Sequence, residues 1–475
     1  MKKTIFRIIC FALLLTLILA MVNRIFRFKY SDGIYTAEKF YDQEKESVDV
    51  LILGSSHAYE YFNTGTLWDE HGMAAFIFAG SAQPMWNTYY FLKEALKTQT
   101  PKLIVLEGFR LAMQDEYAED SRIIFNNYGL HWSKDKIESI KVSAPKDRWL
   151  DFLLEHTQYH SRYTEISRED FLPNKGNHQY DDWKGFGCNM ETEAFKAKDM
   201  SGITDKDPIP EKIEYYYRKV LELARDNNIP ITVIISPYPG IKKYEQRIFN
   251  TAEDIAAEYG VSFLNCNLIL DEIGLDYETD AGDSSHINYR GNEKFTTYIG
   301  AYLKNNYDIP DRRGNAEYDS WQRSADYVRQ MIYDQKLVDD NTLAGITEKI
   351  QNPNYDIIVS FDGNYSLDNE EVTALIQVLG IDDNAKDGIW YKSSDSIISI
   401  DENETFEKYI STPYHDIGIK RIRNGESDYY NEVIVDNDSY LKVTNGINIV
   451  IYDNVTDSLA DSFGIDTDNE NKIIR

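Results

Sequence analysis

The chain has 475 residues, 42% of them hydrophobic, and a formal net charge of −29. That length suits two or three domains, and the acidity disfavours a nucleic-acid partner, whose phosphates require neutralisation by Lys and Arg. Its three cysteines, Cys10, Cys188 and Cys266, are too few for a disulfide framework, although a Cys188–Cys266 pair is possible outside the cytoplasm. No Cys-x-x-Cys or His/Cys cluster points to zinc, and no metal or other cofactor is expected.

The N-terminus carries Lys2, Lys3 and Arg7, followed by a charge-free apolar run over 8–22. With Ile5, Phe6, Ile25 and Phe26 added, the run reaches about 20 residues, enough to cross a bilayer, with Arg7 and Arg24 snorkelling to its faces. Leu19-Ala20-Met21 is followed by bulky residues, so no cleavage site stands out and an uncleaved membrane anchor over 1–30 is expected. Basic residues on both flanks weaken the positive-inside rule. The expected single-pass topology, with the rest of the chain extracytoplasmic, rests mainly on the position of the run.

Residues 45–310 read as one α/β domain. Strands are predicted at 48–53, 75–79, 102–107, 231–236 and 262–265, with helical patterns such as 86–97, 212–227 and 249–259 between them. That alternation predicts a mainly parallel sheet. An insertion at 121–200, rich in aromatic residues and histidine (Trp132, Trp149, His156, His160, Tyr163, Trp183), reads as a lid or as a helical cover. Residues 311–350 are charged and read as a helical connector. Beyond them, 355–475 reads as a mostly β accessory domain with one helix near 370–379.

Two stretches carry chemistry. The run Val50-Leu51-Ile52-Leu53 ends in Gly54-Ser55-Ser56-His57. Open α/β sheets place ligands just past the carboxyl ends of such strands, which puts Ser56 on a strand-to-helix corner. Serine is equally a preferred helix cap, so this stretch alone leaves both roles open. The second stretch is Asp283-Ser284-Ser285-His286-Ile287-Asn288-Tyr289-Arg290-Gly291. An Asp three residues before a His can hold the imidazole Nδ1 and leave Nε2 free to take a proton from a serine hydroxyl.

Together the two stretches resemble the first and last blocks of the SGNH (GDSL-type) hydrolase superfamily, over roughly residues 45–305. The most similar branch is membrane-anchored and includes proteins of teichoic-acid D-alanylation and exopolysaccharide O-acetylation. The resemblance implies a three-layer α/β/α, flavodoxin-like fold. It implies Ser56 as nucleophile, His286 as general base and Asp283 as its orienting acid. It also implies an oxyanion hole formed by the backbone N–H groups of Ser56 and Gly80, a glycine that is otherwise a plain tight turn. The asparagine that many relatives carry in the third block is absent here, where the strand ends Leu106-Glu107-Gly108-Phe109-Arg110. Either the oxyanion hole is smaller or Arg110 or Gln83 compensates, and Glu107 with Arg110 also reads as an internal ion pair. His57 reads as a first-turn helix residue or as a contact to the acyl donor; His57, Gln83, Glu107 and Arg110 are thus the candidate substrate-binding residues.

Near the C-terminus, 445–453 and 459–466 resemble the end of the interleukin-like EMT inducer β domain, some relatives of which bind glycans. The function these resemblances imply is an esterase or O-acyltransferase acting on cell-envelope polysaccharide or another acyl-ester substrate, with a membrane-bound O-acyltransferase as a possible partner. The alternative is a non-catalytic glycan-binding or scaffold partner of such an acyltransferase.

Overall fold

The computed structural model describes residues 2–28, 31–166, 168–171, 183–363, 365–381, 388–393, 397–400, 404–413, 415–424 and 428–475. The chain divides into two compact units, Met1–Ala325 and Asp326–Arg475.

The first unit opens with α1 (Lys2–Phe26). Its stretch Lys3–Phe26 is long and apolar enough to cross a membrane and is unburied along its length. The end of α1 is tied to the rest of the unit. Arg162 donates hydrogen bonds to the carbonyls of Phe26 and Arg27, and Phe26 and Phe28 pack against a small core that includes Ile34, Ile123, Tyr128 and Phe152.

The elements that follow are α2 (Thr36–Tyr41), β1 (Val50–Gly54), α3 (Ser56–Tyr59), α4 (Thr64–His71), β2 (Ala75–Ala79), α5 (Met85–Ala95) and β3 (Leu103–Glu107). The insertion contributes α6 (Asp120–Phe125), α7 (Lys134–Ser143), α8 (Trp149–Leu153) and α9 (His156–Tyr159). Then come α10 (Glu211–Asp226), β4 (Ile231–Ile235), α11 (Lys243–Glu258), β5 (Ser262–Asn265), α12 (Leu270–Ile273) and α13 (Tyr289–Asn306).

The five strands form one parallel sheet in the order β2-β1-β3-β4-β5. Every residue of β1 to β4 is buried, as a sheet covered on both faces requires. This is why these strands read as unbroken apolar runs rather than as alternating ones. Helix α4 packs on α13 and α5 on α10, while α11 joins α10 through the Tyr217 hydroxyl donating to the Ala252 carbonyl at 3.1 Å. The fold is therefore α/β with flavodoxin-like strand order. From β1 the chain passes to β2 on one side and then to β3 on the other, which makes the carboxyl ends of β1 and β3 a topological switch point, where open sheets hold ligands.

Within the insertion, α6 to α9 close over the small core already mentioned. Residues 172–182 and the side chains of His156 and His160 lie outside the described residues. After them the chain runs along the outer side of β2. The Ile77 N–H donates to the Lys184 carbonyl at 2.9 Å, and Gly185 has φ +82° with Ile77 O only 2.0 Å from where a Cβ would sit. Only glycine fits so close to a strand backbone.

The second unit is an antiparallel β region. Helix α14 (Asp319–Val338) runs through the boundary between the units and is followed by α15 (Leu343–Lys349) and α16 (Glu370–Val378). In a six-stranded sheet, Gly446–Asp453 pairs with Ser458–Asp466 on one side and Tyr355–Asp362 on the other. A four-stranded sheet is built on the hairpin of Asp416–Asn424 and Asp428–Val435. Ile358, Tyr391 and Val450 of the first sheet pack with Ile417, Ile419 and Val433 of the second. Leu375 and Ile376 of α16 and Ile346 of α15 cover the first sheet's other face.

Candidate active site

The corner after β1 is built by Gly54. Its φ is +156°, and a Cβ there would lie 2.8 Å from Glu107 Cβ on the neighbouring strand and 3.1 Å from Ala58 Cβ. Ser55 is extended and precedes α3, so Ser56 opens the helix with its side chain half-buried. Gly54 pairs with Ala79 in the sheet register. Ser56 and Gly80 therefore leave the same end of adjacent strands. The Gly80 turn is held by α6: Arg122 donates to the Ser81 hydroxyl and Asn126 to the Ser81 carbonyl at 3.0 Å.

The opposing loop is fixed by its own short-range bonds. Asp283 Oδ1 accepts the backbone N–H groups of Ser285 (2.6 Å) and His286 (2.9 Å), a turn that aspartate side chains favour. Asn288 caps α13 by accepting the N–H groups of Arg290 and Gly291, while its amide donates to the carbonyls of Thr279 and Ala281. At Gly291 a Cβ would lie 2.5 Å from the Asp280 carbonyl oxygen. Asn292 reaches across to donate to the carbonyls of Glu60 and Tyr61. The asparagine and glycine of this stretch are thus the parts that set the loop's height over α3.

The two corners meet. His286 Nε2 lies 2.9 Å from Ser56 Oγ, and His286 Nδ1 lies 3.0 and 3.2 Å from the two oxygens of Asp283. Burial pushes the Asp283 carboxyl up. The hydrogen bonds from His286 and from the backbone N–H of Ser285 outweigh it and hold the carboxyl below its ordinary value. An ionised acid on Nδ1 keeps the proton there and leaves Nε2 as the basic nitrogen. A second carboxylate also faces the imidazole, with Glu60 Oε2 3.8 Å from Nδ1. Ser56 and Glu60 are four residues apart at the two ends of one helical turn, a spacing that puts both on one face. That signal was present in the sequence and was missed.

The other candidate residues take different places. His57 is fully buried, stacked on Phe109 at 3.6 Å and edge-on to Tyr238. Its Nε2 lies 3.2 Å from the hydroxyl of Ser285, and Tyr61 donates to the Ser285 carbonyl at 3.1 Å. Burial first, then the neighbouring His286 and Arg110, lower the His57 pKa well below 6.5, so it is neutral at ordinary pH. It fastens the His286 loop to α3 and has no surface to offer a substrate. Gln83 is also buried and donates to the Thr88 hydroxyl at 3.0 Å.

Glu107 is 1% exposed and forms no ion pair with Arg110. Its Oε1 accepts the backbone N–H groups of Phe109 (3.0 Å) and Ser236 (3.3 Å) instead, because the turn after β3 aims those donors at it. Arg110 is partly buried, with no partner for its Nε. Its desolvated guanidinium lies close enough for charge to act on Glu107 and His57.

A cavity of about 520 Å³ adjoins the imidazole on its acid side. Asp283, His286 and Glu60 form one wall, Tyr35, Thr36 and Lys39 of the segment after α1 another, and the strap Gly185–Glu191 a third. The strap is held by Gly187 N–H to Tyr59 O (2.8 Å) and Tyr289 N–H to Asn189 O (2.9 Å). Cys188 lies in this strap, while Cys266 is fully buried after β5. Both are free thiols, so the possible disulfide between them is not formed. Among the described residues no group of three or more His, Cys, Asp or Glu is placed to hold a metal ion.

No protein-family model matches the chain, and no curated protein matches it. Among solved structures, a crystal structure described as a "putative acylhydrolase" from Bacteroides fragilis NCTC 9343 is similar at 11% identity. The match covers 59% of this chain and 99% of that one, with a TM-score of 0.27, too low to establish a shared fold.

Proposed function

We propose that the chain is a membrane-anchored, extracytoplasmic serine esterase or O-acyltransferase that modifies cell-envelope polysaccharide through a Ser-His-Asp acyl-enzyme. The observation that carries this reading is the 2.9 Å approach of His286 Nε2 to Ser56 Oγ, with Asp283 on the imidazole's other nitrogen. A serine hydroxyl is a weak nucleophile without such a base.

Ser56 Oγ attacks the ester carbonyl as its proton passes to His286 Nε2. The carbonyl oxygen becomes an oxyanion, which the backbone N–H groups of Ser56 and Gly80 receive; such donors are worth about 3 kcal/mol each. The ester C–O bond then breaks, His286 gives its proton to the leaving alkoxide, and the acyl group stays on Ser56. In the second half His286 deprotonates water or a sugar hydroxyl as that oxygen bonds to the acyl carbon; the bond from that carbon to Ser56 Oγ then breaks and His286 returns the proton to Oγ, completing hydrolysis or transfer. Asp283 stays ionised throughout and offsets the positive charge that forms on the imidazole. In the transfer form a membrane-bound O-acyltransferase is the partner that supplies or receives the acyl group.

The full chain in detergent should release p-nitrophenol from p-nitrophenyl acetate, and Ser56→Ala should abolish the release. Equal turnover by the variant would reject the assignment.

A further inference from the structure

Four large apolar side chains in one short stretch of the first unit face solvent: Leu150 (69% exposed), Leu154 (57%), Tyr163 (71%) and Phe171 (61%). Leu150 is in α8 and Leu154 ends it. Tyr163 and Phe171 sit on the single-turn helices His160–Thr164 and Arg168–Phe171. Single exposed apolar residues are ordinary on a protein surface, but a cluster of them marks an interaction site. The place of this cluster indicates its partner. Helix α1 touches α9 and both single-turn helices, and its last turn is held there. Arg162 bonds the carbonyls of Phe26 and Arg27, its guanidinium lies 5.8 Å from the Phe28 ring, and Phe28 meets Tyr159 edge-on at 5.5 Å. Tyr163 and Phe171 therefore sit on the two single-turn helices that α1 touches, and Leu150 and Leu154 on and just after α8, which packs against α9, the third element α1 touches.

We infer that Leu150, Leu154, Tyr163 and Phe171 form a second membrane contact, a lip that enters the interfacial layer of the bilayer α1 crosses. The inference rests on α1 being a membrane span. Amphipathic and apolar surfaces seat about 5–10 Å into the headgroup and acyl boundary, and a tyrosine such as Tyr163 suits that layer because its ring is apolar and its hydroxyl polar. The net charge of −29 gives anionic headgroups no overall attraction for the chain, so the contact is apolar and forms on a zwitterionic bilayer. Seating the lip also places the cavity. Tyr35, on its wall, follows Phe26 by nine residues. That segment spans at most about 32 Å even when fully extended, so the cavity stays within that reach of the bilayer.

The test uses the full chain in phosphatidylcholine vesicles, with an environment-sensitive fluorophore on one cysteine at a time and a nitroxide-bearing lipid as quencher. Cys188→Ser is the background; Cys266 is buried and takes no label. Native Cys10, inside α1, reports the span. With Cys10→Ala added, Leu154→Cys and Tyr163→Cys report the lip, and Ser201→Cys, in an exposed turn outside the lip, is the reference. The expected result is a blue shift and loss of emission at 154 and 163, as at Cys10, with emission at 201 unchanged. Quenching at Cys10 with none at 154 and 163 beyond that at 201 overturns the lip and leaves the span intact. Unquenched Cys10 removes the span, and the lip with it. Esterase activity enters none of these readouts, so they stand apart from the catalytic assignment.

Discussion

Glu107 closes β3 beneath the Gly54 corner, and only one of its two carboxyl oxygens is satisfied. Oε1 takes two backbone N–H groups, whereas Oε2 is buried without a partner. Burial pushes its pKa from 4.5 up to about 8, against the opposing pull of those bonds and of Arg110. Between those two values the folded chain holds a proton that the unfolded chain has released, so stability falls as pH rises. At about 1.4 kcal/mol per pH unit, the loss grows to about 5 kcal/mol. It is absent below pH 4.5 and complete above pH 8. Glu107→Gln keeps the shape and the accepting oxygen and cannot ionise. It should match the parent's urea midpoint near pH 4 and exceed it increasingly as pH rises, levelling off above about pH 8. Tryptophan fluorescence is a suitable probe, because six of the seven tryptophans lie in the first unit. A difference between the two proteins that is the same at every pH would refute the reasoning.

Two further outcomes test the loop over α3. The Asp283 side chain is 43% exposed and Glu60 Oε2 also faces Nδ1, at 3.8 Å, so Asp283→Asn should lower kcat by less than the ~10⁴-fold known for a fully buried triad acid; a loss equal to that of His286→Ala would contradict this. Tyr61→Phe removes the hydroxyl that bonds the Pro237 and Ser285 carbonyls. It should cost about 1–3 kcal/mol of stability and lower kcat more than it raises KM, and steady-state kinetics with an unchanged kcat would count against the clamp.

The parallel sheet was legible because β1 to β4 are buried on both faces and read as mainly apolar runs. The edge strand β5 is polar at both ends and only partly buried, yet each of the five lies within two residues of its predicted place. Helix α11 begins at Lys243 rather than 249, because Glu245 turns back to accept the Lys242 N–H at 2.7 Å and starts the helix before its apolar face begins. In the second unit, Phe406–Ser411 alternates between half-buried and exposed residues, so it lacks the apolar run that marks a buried strand. The meeting of Ser56 with Asp283 and His286 was readable from two short stretches because each is fixed by local turns. The roles of His57, Gln83 and Glu107 were not. All three are polar residues near the Gly54 corner, and only tertiary packing decides that they face inward: Phe109 and Tyr238 around His57, the backbone of Phe109 and Ser236 around Glu107, and Thr88 beside Gln83.

The edge strand β2 of the parallel sheet has its free rim sealed by Trp183–Gly187, through the bond from Ile77 to Lys184 and the near-contact of Gly185 with Ile77 O. An unsealed rim is a template on which a second chain can pair. Gly185 and its two successors also form part of the cavity wall. One glycine thus answers to two unrelated demands, keeping molecules from zipping together side by side and giving the pocket its outline. Any replacement that remodels the pocket at that point also loosens the seam, so variation in what the pocket accepts is confined to its other walls.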